Sequence, residues 1–371
     1  MNATADRQQV VVVGCGVVGA AIAYELSQLP GYAVTVIEQH LPAQASTGAA
    51  LGVLMGAISQ KFKGKNLRLR LASMGCYDHW IPQLEAITGR RVPFNRNGIL
   101  RLCFEGEDLS VWQRLAQKRH EQGYHLEVCD RDWLATHYPY LNLEGVIGAI
   151  YSPGDRQVDP TALTLALIDG AQQHGATFQF HCAMQGVVAI AADSGQQCHT
   201  VLTSTGELAV DWLILAAGLG STALTTSLQQ PIEIRPVLGQ ALRLQLSESL
   251  GIPTQEPVIT GNDVHIVPLG QAAYWIGATV EFDGLTPTAD PALLEAVYHQ
   301  AIARCPALQS GEIVQQWTGL RPRPEGRPAP IIERLPTYRN VILASGHYRN
   351  GVLLAPITAQ RVRELLESEI A

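Results

Sequence analysis

The sequence predicts an α/β protein: a doubly wound, parallel-sheet unit into which a second, mainly antiparallel-sheet unit is inserted. Three observations predict it. A β-branched run leads directly into a glycine-rich turn and a helical pattern, another apolar strand far along the chain ends in nothing larger than a methyl group, and stretches of alternating apolar and polar residues lie between. At roughly 150 residues per domain, a chain of 371 residues has room for two domains. Its composition, 47% hydrophobic and 16% charged, excludes disorder, collagen and coiled coil. The balance of 26 basic against 33 acidic residues argues against nucleic acid as a partner, because phosphate binding is electrostatic first.

Residues 9–13 are Gln-Val-Val-Val-Val, the pattern of a strand buried on both faces, and they run into Gly14-Cys15-Gly16-Val17-Val18-Gly19 before a helix expected over residues 20–29. In this setting one glycine allows the tight turn, one lets a pyrophosphate approach the backbone, and one lets the helix pack on the strand. The phosphates would lie on the helix N-terminus. A second strand over residues 33–37 ends in Glu38, whose carboxylate can accept from both hydroxyls of an adenosine ribose and repels a 2′-phosphate. This Rossmann-like signature fits NAD and FAD alike. The small-residue loop 45–52 that follows, with Ser46 and Thr47, offers free N–H groups to a second phosphate or to the edge of an isoalloxazine; a flexible linker has the same composition.

Asp159 and Pro160 supply an N-cap and an N1 proline for a helix over 161–173, which His174-Gly175 ends. Strands are expected over 177–182 and 210–215. The second ends in Ala216-Ala217-Gly218, where a flat cofactor can come close or the chain can simply turn tightly. Near the C-terminus a strand over 340–344 is followed by Gly346-His347-Tyr348-Arg349-Asn350-Gly351 and a helix over 356–367. Polar groups held between glycines before a helix N-terminus stabilise an anion. That suits the negative edge of a reduced flavin and has no use in an NAD enzyme.

Taken together, the Gly14-x-Gly16-x-x-Gly19 turn with Glu38, the 46–52 loop, Val158-Asp159-Pro160, Ala216-Ala217-Gly218, Gly319-Leu320-Arg321-Pro322 and the 346–351 segment resemble the D-amino-acid-oxidase superfamily of FAD-dependent amine oxidases. Within it the chain is similar to the glycine oxidases of thiamine biosynthesis. The match covers nearly the whole chain, and Gly-His-Tyr-Arg-Asn-Gly-Val-Leu-Leu-Ala-Pro is specific to that subgroup. The resemblance implies FAD held by Gly14, Gly16, Val17, Val18, Gly19, Glu38, Gln39, Ser46, Thr47, Leu51, Gly52, Val53, Met184, Gly218, His347, Tyr348, Arg349, Asn350, Gly351, Val352 and Leu353. It also implies a small amino-acid substrate, hydride transfer to flavin N5, O2 as electron acceptor with release of peroxide, and a homo-oligomer.

Residues 238–246 alternate apolar and polar, 263–267 and 273–280 flank Pro268-Leu269-Gly270-Gln271 as a hairpin would, and a helix over 291–304 is capped by Asp290. The expected division is therefore an FAD-binding domain of residues 1–80, 151–230 and 316–371, with a substrate domain of 81–150 and 231–315. Arg321, at the end of a strand over 315–320, has the planar fork that matches a substrate carboxylate, and the resemblance gives it that role. Arg323 and Arg327 read as solvated loop charges. Arg349 matches a second arginine at the substrate end of the flavin, or else it braces its own loop. His265 and Leu269 depart from the family, which commonly has Tyr and a basic residue there. His265 is either a substitute donor or an edge-strand histidine.

The basic residues Lys61, Lys63, Lys65, Arg68 and Arg70 form either a solvated face or a docking patch for an electron carrier. Peroxide release separates an oxidase from a dehydrogenase serving such a carrier, and bleaching of the flavin by an amino acid separates both from a non-catalytic FAD-binding protein. Seven cysteines without a C-x-x-C pair point to reduced thiols in a cytoplasmic protein, and no metal-ligand spacing or membrane span is expected. Asn2-Ala3-Thr4 fits the glycosylation pattern but is set aside at the terminus of a chain expected to be cytosolic.

Overall fold

The computed structural model describes residues 7–192, 195–282 and 288–368, so Asn2-Ala3-Thr4 lies outside the described residues. The valine-rich strand Gln8–Val13 sits inside a six-stranded sheet in the order Ile331–Arg334, Val341–Ser345, Trp212–Leu215, Gln8–Val13, Tyr32–Glu38, Thr177–Phe180. Only the first pair is antiparallel. The run is apolar throughout because both faces are covered. Val10 and Val12 pack on a helical layer, whereas Val11 and Val13 pack on a three-stranded antiparallel sheet, Met184–Ala191, Gln196–Thr203 and Gly206–Ala209. The register sets Val13 beside Leu215 and Ile37, which brings Gly14, Ala216 and Glu38 out at one rim.

The helical layer comprises Val17–Ser27, Lys65–Thr88, Pro160–Gln173 and Gly351–Glu367. Asp159 caps its helix as expected, its side chain accepting from Ala162 N at 2.8 Å with Pro160 in the first turn. The first helix begins three residues earlier than the apolar pattern suggests, at Val17. The last begins at Gly351, with Pro356 inside it. Proline removes the N–H that would bond the carbonyl four residues back, and the Tyr77 hydroxyl donates to that carbonyl, Val352 O, in its place.

The second large sheet has eight strands in the order Glu312–Pro324, Ile234–Gln245, Ala273–Gly277, Val264–Gly270, Val258–Gly261, Ile99–Phe104, Val146–Ser152, Glu127–Cys129. All its pairs are antiparallel except Val258–Gly261 with Ile99–Phe104. Helix Pro291–Arg304, capped by Asp290, packs on one face through Leu294, Val297 and Ala301. The hairpin turn is not Pro268-Leu269-Gly270-Gln271. Pro268 pairs with Tyr274 inside a strand, next to a register shift that accommodates it, and the turn is Gln271-Ala272, at φ 52° and 56°. The segment expected as sheet over 81–150 also holds helices Leu109–Glu121 and Arg131–His137. Two expected limits fall within elements: residue 80 lies inside helix Lys65–Thr88, and residue 316 inside strand Glu312–Pro324, which pairs along Ile234–Gln245.

Candidate functional site

A cavity of about 1220 Å³ is lined by the rim of the parallel sheet and by one face of the eight-stranded sheet. Every residue expected to touch cofactor or substrate lines it, with one exception. Gly19 does not. A Cβ there would lie 1.9 Å from Gly14 O, so this glycine serves the close packing of helix on turn.

Gly14, at φ +103°, donates from its N–H to Ile37 O at 2.8 Å, and a Cβ on it would meet Ala216 O at 2.7 Å. Glu38 is turned onto the same rim, accepting from Cys15 N at 2.8 Å and His40 N at 3.0 Å. The two hydroxyls of the 45–52 loop are engaged by protein: Ser46 Oγ donates to Leu320 O at 2.6 Å, and Thr47 Oγ1 accepts from Val17 N at 3.0 Å. Thr47 therefore keeps its own hydrogen to donate. Gly218 is at φ +56° and its carbonyl accepts from Ser345 Oγ at 3.1 Å, so the 216–218 segment both turns tightly and lines the cavity. His347 is buried, bonded through Nε2 to Thr358 Oγ1 at 2.9 Å, and burial pushes its pKa down to about 4. Tyr348 holds φ +54°, strained for an aromatic residue, at the turn into helix Gly351–Glu367.

On the facing sheet, Arg321 donates from Nη1 to Leu238 O and from Nη2 to Thr279 O, both at 3.0 Å. Its guanidinium lies flat on Gly239, where a Cβ would come within 2.3 Å of Nη2. Burial, then the neighbouring Arg349, lower its pKa. Arg349 Nη2 donates to Asp263 Oδ1 at 3.2 Å, so it braces Asp263 rather than its own backbone. His265 is not on an edge: its strand is flanked by Val258–Gly261 and Ala273–Gly277. Its Nδ1 is shut off from solvent with no hydrogen-bond partner among the described residues, and burial together with Arg349 pushes its pKa down to about 4. The ring is neutral near pH 7.

With this geometry in view, the comparisons with known proteins are direct. Residues 9–365 match the family described as FAD dependent oxidoreductase. The chain belongs to that family, and its cofactor is FAD. It is 34% identical over 376 residues to the bifunctional protein ThiO/ThiG of Synechocystis, covering 99% of this chain and 52% of that one, so the chain spans about half the length of such relatives. It is 27% identical to the glycine oxidase of Geobacillus kaustophilus, over 97% of this chain and 93% of that one. The crystal structure of glycine oxidase from Bacillus cereus superposes with a TM-score of 0.86 at 25% identity, covering 98% of this chain and 96% of the other.

The residues present fit FAD. Helices Val17–Ser27 and Gly351–Glu367 both open on the cavity with no side-chain cap at Gly16 or Asn350, leaving two positive helix ends for a pyrophosphate and for the anionic edge of a flavin. Gly14 and Gly16 leave the close approach open, and Glu38 would take the ribose hydroxyls.

Sequence reading did not single out Arg70 and Arg101 for the cavity. Arg101 pairs with Glu107 at 2.8 Å and lies 4.8 Å over the Trp112 ring. Arg70 belongs to the 61–70 basic stretch, which does not act as one surface: Lys61, Lys63, Lys65 and Arg68 are exposed, while Arg70 is half-buried against the cavity. Helical periodicity would have found it, because Arg70 borders the buried stripe Leu67, Leu71, Met74 of helix Lys65–Thr88. No helix among the described residues is long and apolar enough to cross a membrane.

Proposed function

We propose that this protein oxidises the C–N bond of a small amino acid, in the class of glycine, sarcosine and small D-amino acids, to an imine that hydrolyses to a keto acid and ammonia, or to glyoxylate and methylamine when the substrate is sarcosine. One observation carries the reading. Arg321, partly buried on Gly239 with no carboxylate partner among the described residues, shares a single cavity with the FAD-binding rim. Its fork would hold the substrate carboxylate and so aim the α-carbon at the flavin. Bound FAD would supply the acceptor for the hydride leaving the α-carbon, and O2 would take the electrons on to peroxide. The protein contributes orientation above all. The positive field of Arg321 and Arg349 also disfavours an ammonium beside them, which promotes the neutral amine whose lone pair drives the reaction. Neutral His265 neither adds to nor offsets that field. With glycine the product is glyoxylate, or the imine is passed on to thiazole synthesis.

The test is an amino-acid panel scored by peroxide release on the yellow holoprotein, with anaerobic bleaching of the flavin as a second readout. Arg321→Ala should keep its flavin and lose on the order of 10²–10³-fold in kcat/KM, the cost of removing one partner of a desolvated ion pair. Full turnover in that variant refutes the assignment. Bleaching without peroxide would instead mark a dehydrogenase.

A further inference from the structure

The cationic side chains on the cavity outnumber the acids. Lys61, Arg70, Arg101, Arg321 and Arg349 line it against Glu38 and Asp263. Lys61 is exposed to solvent, Arg101 is matched by Glu107, and Arg349 meets Asp263. Two guanidiniums then remain without an ion-paired carboxylate among the described residues, Arg321 on the sheet, which feels Glu281 and Asp263 only without direct contact, and Arg70 on the helix. Arg70 makes one long hydrogen bond, Nη1 to Met55 O at 3.4 Å. The acid that acts on it, Asp155, makes no ion pair with it and is engaged by the backbone, accepting from Gly56, Ala57 and Ile58 N–H groups, each at 2.8 Å. Burial and the proximity of Arg349 both lower the Arg70 pKa, as they do for Arg321, so Arg349 is in electrostatic contact with both. A partly desolvated cation beside another cation is unfavourable until an anion joins it.

Arg70 projects from helix Lys65–Thr88 beside the 55–61 loop, whose Met55 O it meets, and that loop is clamped. The fully buried Arg119 donates to the carbonyls of Ala57, Ser59 and Lys61, while Asp155 holds the N–H groups of the same loop from the other side. Arg70 itself is carried on a helix, and the clamped loop fixes the surface beside it.

We propose that Arg70 receives a second carboxylate of the substrate, so that the preferred substrates are amino acids carrying two carboxylates, one on Arg321 and one on Arg70. This rests on the amino-acid oxidation proposed above and narrows it. The second carboxylate hangs either from the α-carbon, as in D-aspartate, or from the amine, as in iminodiacetate.

The experiment uses the purified yellow holoprotein and has two arms. In the binding arm, perturbation of the flavin spectrum is followed during titration with malonate or succinate against acetate or propionate. Dicarboxylates should bind at least tenfold tighter, with the advantage collapsing in Arg70→Met and partly restored in Arg70→Lys. In the turnover arm, D-aspartate is compared with D-asparagine and iminodiacetate with sarcosine, which tells the two placements apart. Each ratio of kcat/KM should favour the diacid and should fall at least tenfold in Arg70→Met. Equal binding of mono- and dicarboxylates overturns the proposal, as does an Arg70→Met variant that loses the same factor on both classes, the mark of a structural role. If no amino acid reduces the flavin while the Arg70-dependent preference for diacids stands, amino-acid oxidation fails and the anion site survives. Oxidation of glycine or sarcosine with no preference for diacids sinks the Arg70 assignment alone.

Discussion

The two walls of the cavity are built by different means. The wall expected to hold the cofactor is mostly backbone: a glycine turn, two helix ends whose N-cap residues Gly16 and Asn350 make no side-chain cap, and strand termini whose positions follow from the register of a parallel sheet. The wall proposed to hold the substrate is mostly side chains, Arg321 and His265 from the eight-stranded sheet, Arg349 from the turn before the last helix and Arg70 from a helix. The first wall works by what is absent: without a Cβ, Gly14 packs against Ala216 and Gly16 against Thr47, and Gly218 leaves open space. The second works by charge held in a partly dry setting. Substitutions should therefore fail differently on the two sides, sterically on one and electrostatically on the other.

The largest expected effect is steric. In Gly14→Ala the added methyl would sit 2.7 Å from Ala216 O, on a backbone at φ +103° that alanine resists. The turn must open and the phosphate approach is lost. The variant should purify colourless, with the flavin-to-protein absorbance ratio reduced at least tenfold and added FAD failing to restore it. A yellow Gly14→Ala protein of normal flavin content would show that the cofactor wall tolerates bulk, erasing the contrast.

The same contrast explains what could be read in the sequence. Strand, glycine turn, helix and terminal acid are set by local sterics, so the order of elements from Gly14 to Glu38 was legible, as was the Asp159-Pro160 cap, although the helix start was placed three residues late and Gly19 was counted among the cofactor contacts. The hairpin was legible as a hairpin but misplaced at its turn. Pro268 and Gly270 have turn chemistry, yet Pro268 fits a strand because a register shift relieves the missing donor, and Gln271-Ala272 make a left-handed turn their side chains do not advertise. The Pro356 position misled for a like reason: only the fold brings Tyr77 to the orphaned carbonyl. Arg70 was grouped with a surface charge run because its meaning depends on Arg349, far away in sequence. Sites made of backbone geometry announce themselves locally, whereas sites made of converging charges do so only after folding.

A second prediction separates the walls by pH. His265 and His347 both have pKa values pushed down to about 4 from 6.5, His347 by burial alone and His265 by burial plus Arg349 and Arg321. Between those limits the unfolded chain binds more protons than the native one, so stability is fully present above about pH 6.5 and is lost as pH falls toward about 4. At ~1.4 kcal/mol per pKa unit, each histidine contributes up to about 3 kcal/mol of that loss, measurable by urea unfolding across the range. The distinguishing measurement is histidine NMR with malonate added. Carboxylates offset the neighbouring guanidiniums, so the His265 pKa should rise while that of His347 stays low. Equal movement of both rings would deny that the two walls are electrostatically distinct.

The smallest effect concerns the element that joins the walls. Helix Lys65–Thr88 carries Arg70 toward the substrate side and, two turns on, Tyr77 toward the helix that points at the flavin. The Tyr77 hydroxyl is buried and answers the carbonyl that Pro356 leaves without a helix partner, so Tyr77→Phe removes a hydrogen bond and strands a buried acceptor in one step. That costs about 1–3 kcal/mol, read as a lowered Tm and midpoint of urea unfolding. Because Val352 O lies in the first turn of helix Gly351–Glu367, the loosened turn should also release FAD more readily on dilution. The ratio of diacid to monoacid binding, set by Arg70 and Arg321, should not move with it. A Tyr77→Phe protein that kept its flavin as tightly as the parent would mean that Pro356 is accommodated by the surrounding core, and that the helix links the two walls in space but not in energy.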